Sequence, residues 1–374
     1  MTVTLNPDLK PDQLFIWILA PFIETGDSNI DSYYDFTQSI AEYNPVFKEL
    51  GIDWKWQNVT VNDYKKVIDG IAATKIEGNA FPVVLNLCDG DEVNGTPGVS
   101  VIEYLEEKNL VYTGSDACFY NLTTSKITMK KAFDAAKVST PKWKAIYKIE
   151  DNNDSIFDEL GIPIIIKPAI SAGSMGVGIN NVIANKSDLD KQLIKMFEGY
   201  RGWHLTSGGI VAESFVAGLE FTVFLVGNYK NKESAYIFPP VERVFHKSLP
   251  ELEQILSFDR HWKIHEEEPP MPDNAHFYDT IIPDIKFHKA IKDIAWDAFA
   301  AVNGTGYARV DIRMDKESGK LYVLEVNSQC SIGTNEDFTS CAVILKFADI
   351  SFTQLIARIL NNNNKGLTIF SIED

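Results

Sequence analysis

Two carboxylates and an amide stand at a spacing that could hold a metal ion. In "GYARVDIRMDKESGKLYVLEVNSQC", Gly306 to Cys330, alternating apolar and charged residues predict a β-hairpin turning at Glu317 to Gly319. Side chains alternate along a strand, so Arg309, Asp311 and Arg313 share one face and Val310, Ile312 and Met314 the other. On the return strand Glu325 and Asn327 alternate with Leu324 and Val326, which sets Asp311 opposite Glu325. Like charges so opposed repel. Water around them removes the conflict, and so does a cation between them. Two carboxylates and an amide oxygen suit Mg2+, a hard ion that takes few protein oxygens and fills its remaining positions with water and phosphate. On this segment alone a solvated charged face explains the pattern equally well.

A second element concerns anions. "IPIIIKPAISAGSMGVGI", from Ile162, sets Lys167 at the end of a buried strand, just before a loop containing Gly173, Gly176 and Gly178. Glycines let backbone N–H groups wrap an anion, and a neighbouring lysine adds a compact charge for phosphate. Such a loop can cover a nucleotide; a hairpin tip using glycine for turn geometry is the plainer alternative. It is neither a Walker A loop, since no Gly-Lys-Ser/Thr follows, nor a dinucleotide fingerprint, since a strand, "INNVIA", comes next. Lys126 falls in the first turn of a predicted helix, where the macrodipole disfavours a cation. A nearby anion explains it, and so does simple solvent exposure. In "VAESFVAGLEFTV", Glu213 and Glu220 bracket a turn at Ala217-Gly218 whose backbone could meet an adenine edge; taken alone it is a kinked strand.

The elements that must position these residues follow from periodicity. Apolar runs alternate with helical patterns through the first third: "LFIWILA", a segment around Tyr33 to Leu50, "DWKWQNV", "FPVVLNL", and a helix around Val99 to Lys108. This predicts βαβ units and a parallel sheet. An amphipathic helix spans about 122–137 and is stopped by "VSTPKW". A small α+β unit follows, with strand "IPIIIK", the glycine loop, and a helix opening at Ser187. Strands "IVAESFV" and "EFTVFLVG" come next, then an irregular polar excursion from about Val244 to Pro272 of the kind that forms active-site loops. A helix from Ile285 to Val302 leads into the hairpin, and "LNNNNKG" reads as a short turn or a fraying tail.

Composition limits what such a site serves. The 374 residues exceed one ordinary core, so two or three units are expected. A net charge of -17 argues against a nucleic-acid partner, which needs clustered Lys and Arg, while leaving room for a small anion held by local lysines or a metal. Cys88, Cys118, Cys330 and Cys341 lack zinc-ligand spacing and read as reduced thiols. The start "MTVTLNPDLKPD" has no basic signal region, and the apolar run Leu14 to Ile23 is broken by Pro21 and too short to span a bilayer. These features predict a cytoplasmic protein without a membrane partner.

Taken in order, Lys126, Lys167 with its glycine loop, "ESFVAGLE" and "ARVD…EVN" resemble the ATP-grasp superfamily. Within it "VYTGSDACFYNLTTSK", "IKPAISAGSMGVG", "ESFVAGLEFTV" and "GYARVDIRMD…YVLEVN" are most similar to D-alanyl-D-alanine ligases, over roughly residues 80–330. The resemblance implies a mixed α/β and α+β architecture of three domains: a parallel-sheet domain over 1–121, a central subdomain with the glycine lid over 122–212, and a C-terminal subdomain with the metal site over 213–374. ATP lies between the last two. It implies that Lys126, Lys167 and Lys263 contact phosphates, that Glu213 and Val216 meet adenine, and that Glu220 meets ribose. Asp311, Glu325 and Asn327 match the magnesium ligands, with Mn2+ an alternative, and Arg309 matches the arginine that stabilises the reacting acyl centre. A homodimer is the family's expectation.

Departures fall on the amino-acid side. "ILAPFIETGDSNID" lacks the family's Gly-Gly turn and ammonium-holding glutamate, leaving Glu24 or Asp27 as replacements. The histidine of the next substrate loop is Asn86 in "LNLCDGDEVNG". Gly173 stands where the family has a serine, with Ser174 the nearby hydroxyl for ATP, and "NSQCSIGTNEDF" replaces a Ser-Pro-Gly turn that shapes the second amino-acid pocket. The expected activity is an ADP-forming carboxylate-amine ligase working on two amino acids or similar small acids through an acylphosphate. A strict cell-wall D-alanyl-D-alanine ligase is one form of it. A regulatory ATP-binding module without turnover is the alternative from another class, disfavoured by Arg309, and a kinase releasing a phosphorylated product is a third.

Overall fold

The computed structural model describes residues 2–26, 31, 34–76, 81–151, 155–200, 203–336 and 339–373. Strand β1 is Thr2–Leu5 and β2 is Leu14–Pro21; helix α1, Thr37–Leu50, precedes β3, Asp53–Val59. Helix α2, Tyr64–Ile76, leads to β4, Phe81–Asn86, and α3, Val99–Glu107, to β5, Val111–Thr113. Strands β2 to β5 form a parallel sheet in the order β3-β2-β4-β5, with β2 pairing parallel to both β3 and β4. The expected βαβ alternation is thus present. Apolar residues on both faces of the middle strands make this inevitable: Ile16, Ile18, Leu19, Val83, Val84 and Leu85 are all fully buried.

The single helix expected over about 122–137 is two, α4 at Ala117–Thr124 and α5 at Lys126–Ala136. Ser125 between them is extended, at φ −108° and ψ 124°. The hydroxyls of Thr123 and Thr124 bond back to the carbonyls of Phe119 and Tyr120, at 2.9 and 2.8 Å, in the last turn before the break.

The central sheet contains β6 (Trp143–Ile146), β7 (Ile164–Pro168), β8 (Val182–Ile183) and β9 (Ile210–Ser214), in the order β6-β9-β7-β8. Helices α6, Ser155–Leu160, and α7, Lys186–Glu198, belong to this unit. Two expectations shift here. The strand after the glycine loop is only Val182–Ile183, because Ile179–Asn181 forms a 3-10 turn. Helix α7 starts one residue before Ser187, since Asn185 caps it by accepting from the Asp188 N–H.

The C-terminal sheet is antiparallel: β10 (Gly218–Asn228), β11 (Asn231–Ile237), β12 (Val241–Phe245), β13 (Tyr278–Ile281), β14 (Thr305–Asp315) and β15 (Leu321–Ser328). Their order is β13-β12-β10-β14-β15, with β11 also on β10. Within the polar excursion lies a short helix α8, Phe258–His261, and α9 is Ile285–Ala301. One face of the sheet buries Phe221, Val223, Leu225, Ala308, Val310 and Ile312 against Ile291, Ala295 and Phe299 of α9 and Met129 and Phe133 of α5. Each such large apolar side chain stabilises by roughly 1.5–3 kcal/mol. That face is anchored, so the opposite face, carrying Glu220, Asp311 and Arg313, is fixed in orientation.

Helices α10, Ser340–Ala348, and α11, Phe352–Asn361, pack with α1 and the lower part of the parallel sheet in one core, and β16, Phe370–Glu373, pairs antiparallel with β1. The asparagine run is therefore not a fraying tail. Asn361 binds the backbone of Ile369 and Phe370, Asn363 that of Leu360 and Leu367, and Asn364 that of Leu110 and Tyr112. Each amide substitutes for a backbone partner the chain could not supply there.

Candidate active site

Register places the polar residues in three cross-strand rows, two residues and so about 7 Å apart. Arg243, Glu220 and Arg313 form the first row across β12, β10 and β14. Thr222, Asp311 and Glu325 form the second across β10, β14 and β15, and Arg309 and Asn327 stand in the third. Asp311 does lie opposite Glu325. Between the hairpin turn and this pair, however, partners are offset by one, Ile312 facing Val323 and Met314 facing Leu321. Leu324 is the extra residue of a β-bulge, so Val323 and Val326, not Leu324 and Val326, enter the core.

The two carboxylates are held apart by donors. Arg309 binds Asp311 through Nε at 3.1 Å and through NH2 at 2.9 Å, and the Thr222 hydroxyl donates to the same carboxylate at 3.0 Å. The amide of Asn327 donates to Asp311 at 3.0 Å and to Glu325 at 3.3 Å. Lys126 lies 3.5 Å from Glu325 and donates to the Ser171 carbonyl at 3.3 Å, so it bridges Glu325 and the start of the glycine loop. Burial pushes the Glu325 carboxyl up, but Lys126, Arg309 and Lys167 outweigh it and hold the group at about 2. It is ionised at neutral pH.

Lys167 lies behind this group. It donates to Glu213 at 3.0 Å, and Lys130 approaches the other oxygen of Glu213 at 2.7 Å. Lys130 is fully buried, which lowers its affinity for a proton, yet the same pair of lysines overcomes the burial of Glu213 and holds that carboxyl at about 2. The Glu213 carboxylate thus holds a lysine on each oxygen and is almost closed to solvent. Nothing in "KKAFDAA" distinguishes Lys130 from a surface lysine, which is why sequence reading missed it.

Other expected residues sit in different company. Glu220 is closed between Arg243 and Arg313. Val216 is buried in the linker between the central and C-terminal sheets, its carbonyl accepting from Arg313 at 2.9 Å. Ser174 occupies a left-handed turn at φ 64°, its carbonyl accepting from Val177 N–H at 2.9 Å within the glycine loop. Lys263 is exposed, in a left-handed turn at φ 55°, and stands outside the cluster. Its neighbours instead grip the glycine loop: Trp262 donates to the Gly173 carbonyl at 2.9 Å, Phe258 N–H to Val177 at 2.8 Å, and the buried Glu268 accepts from Ile179 N–H at 2.9 Å. His261, stacked on Tyr278, is pushed down to about 4 by burial and by Arg243 and Arg309, so its ring is neutral at pH 7.

On the amino-acid side, Glu24 is exposed and Asp27 lies outside the described residues. Asn86 is fully buried, its Oδ1 accepting from Cys88 N–H at 3.1 Å, so it braces its own loop. Its backbone carbonyl accepts from Gln329 Nε2 at 2.8 Å, and Gln329 Oε1 accepts from Ser115 N–H at 2.8 Å. Gln329 therefore bolts the end of β15 to the parallel sheet. A side chain at Gly114 could not coexist with it, since a Cβ there would lie 1.9 Å from Gln329 Oε1. In the Asn86 loop, burial pushes the Asp89 carboxyl up to about 7, a group the sequence reading did not single out.

The parallel sheet, the central sheet and the antiparallel C-terminal sheet, with Lys126, Lys167 and the glycine loop beside the acids of the last, are those of an ATP-grasp ligase, an ATP-dependent enzyme that forms a carbon–nitrogen bond. The chain belongs to the family described as D-ala D-ala ligase C-terminus, which matches residues 133–361. It is 26% identical to a D-alanine--D-alanine ligase of Xanthomonas axonopodis pv. citri, over 87% of this chain and 96% of the relative. A D-alanine--D-alanine ligase of Carboxydothermus hydrogenoformans is 26% identical over 68% of this chain and 74% of its own. Among solved structures, the D-alanine--D-alanine ligase of Bacillus anthracis complexed with ATP shares the fold with a TM-score of 0.62, at 18% identity, covering 94% of this chain and 97% of that one. The VanG D-Ala:D-Ser ligase of Enterococcus faecalis does so with a TM-score of 0.66, at 14% identity, covering 94% and 99%. No helix among the described residues is long and apolar enough to cross a membrane.

Proposed function

We propose that this ligase condenses two small amino acids of the D-alanine type, activating the carboxylate of the first as an acylphosphate and capturing it with the amine of the second. The observation that carries this is Arg309 standing in the row next to Asp311 and Glu325, on the face turned to Lys126. ATP binding alone has no use for an arginine at that point. The names of the relatives supply the amino-acid class.

The first amino acid's carboxylate oxygen attacks the γ-phosphorus; the bond from that phosphorus to the β–γ bridging oxygen breaks and ADP leaves. Lys126 and Lys167 bring positive charge to the phosphate oxygens. The second amino acid's nitrogen then attacks the acyl carbon, the carbon–oxygen bond to phosphate breaks, and the nitrogen's proton passes to the departing phosphate or solvent. Arg309 holds Asp311 through Nε and NH2, leaving NH1 to stabilise the oxyanion. The glycine loop, held by Trp262 and Glu268, excludes the water that would hydrolyse the acylphosphate.

The donor set fits a divalent ion. Asp311 and Glu325 present carboxylate oxygens in register, with Asn327 between them, and rotation of its amide would turn Oδ1 toward the acids. Mg2+ or Mn2+ held by these three would neutralise charge on the transferring phosphate. The reading places the enzyme in the cytoplasm, where three buried thiols and the exposed Cys118 stay free.

The test is an ADP-release screen over pairs of D- and L-amino acids, with mass spectrometry of products. Amine-dependent ADP and a condensed product are expected for a pair of small D-amino acids. ATP binding without a product from any pair would overturn the ligation reading in favour of a nucleotide-binding module.

A further inference from the structure

The row Arg243–Glu220–Arg313 has no counterpart in the chemistry derived so far. Glu220 and Arg313 are both 5% exposed. Arg313 donates from Nε to Glu220 at 2.9 Å, from NH1 to the Val216 carbonyl at 2.9 Å, and from NH2 to the Gln254 carbonyl. Arg243 holds the other oxygen of Glu220 through NH1. One guanidinium thus joins the interdomain linker, strand β10 and the segment leading into α8.

We propose that Arg313 is a positioning residue of the nucleotide pocket, acting through Glu220 and Val216 to preset the ribose end of the site. This rests on the ATP site proposed above. A carboxylate offers about four acceptor positions. With a guanidinium on each oxygen, Glu220 cannot rotate, and the position left for a sugar hydroxyl has a fixed direction. Only a planar fork can serve Glu220, Val216 and Gln254 at once; a lysine ammonium, a point charge on a flexible stem, cannot. Two arginines against one glutamate also leave the row with net positive charge, which suits a polyanionic ligand.

The experiment is calorimetric titration of the full chain with ATP and with 2′,3′-dideoxy-ATP, Mg2+ present and amino acids absent. Wild type is expected to prefer ATP, and Arg313→Met to weaken ATP about tenfold or more while weakening the dideoxy nucleotide less, so that the preference shrinks toward unity. Glu220→Gln should shrink it likewise, and the double variant no further than either alone. A merely structural role would lower thermal stability without moving that ratio. An unchanged ratio in Arg313→Met overturns the proposal. Arg313→Lys is read in the same way if the methionine variant does not fold, and Glu220→Gln if neither does. Wild type that binds ATP without preferring it overturns this proposal alone, whereas wild type that binds no ATP overturns the functional reading beneath it.

Discussion

Two carboxylate centres lie close together around Lys167, and they are built in opposite ways. Glu213 is closed: its side chain is 2% exposed, Lys130 is 0% exposed, and both its oxygens are taken by lysines. Glu325 is open: its side chain is 25% exposed, and it holds Lys126 at 3.5 Å and an amide at 3.3 Å, distances a ligand can displace. Both carboxyls are held at about 2 by neighbouring cations against the effect of burial. The same acidity thus arises in a closed centre in one case and in an open one, the metal site of the proposed reading, in the other. Perturbed acidity alone does not distinguish the two centres; exposure and replaceable partners do.

Substitutions should separate the two. Glu325→Gln is expected to lower amine-dependent ADP release about a thousandfold, about 4 kcal/mol in the barrier, with an unchanged far-ultraviolet dichroism spectrum. Retained turnover would remove Glu325 from the site. Glu213→Gln leaves two buried lysines without a full counter-charge and should cost about 3 kcal/mol of stability in urea titration. If its midpoint matches wild type, the closed centre is not a scaffold.

A smaller loss, about 2 kcal/mol, is expected for Gln329→Ala, which strands the buried Ser115 N–H. Its denaturation curve would show whether the contact between β15 and the parallel sheet follows the closed pattern or the open one. The smallest effect is on pH dependence. A carboxyl with a depressed folded value stabilises the fold above its unfolded value, 4.5 for Glu213, and that contribution fades as pH falls toward about 2. The stability gap between wild type and Glu213→Gln should therefore be constant near neutrality and narrow between these limits; a gap that widened on acidification would contradict the ionised assignment.

The comparison also shows what the sequence could disclose. The open centre was legible in part: alternation and a turn centred on Glu317 to Gly319 predict Asp311 opposite Glu325, but the strands leave the turn one residue out of that register and the bulge at Leu324 restores it. The closed centre was not, since Lys130 meets Glu213 only once α5 packs on the central sheet, and no local pattern records that meeting. Leu324 reads as a core residue because it is apolar and in phase with Val326; the bulge that expels it is decided by pairing with β14. The asparagines after α11 read as a short turn or a fraying tail, and nothing local shows that the Asn364 amide completes backbone hydrogen bonds of Leu110 and Tyr112, 254 and 252 residues away. Departures on the amino-acid side were visible as letters, but only the folded chain shows that Asn86 braces a loop and Gln329 spans two units.

The bulge at Leu324 has a consequence for how this strand tolerates change in length. Removing Leu324 would leave Val323 beside Ile312 and Glu325 beside Asp311, every side chain on its present face. Losing any one residue from Val326 to Ser328 would instead carry the chain beyond it to the wrong side of the sheet. Natural variation in strand length should accordingly gather at this single position.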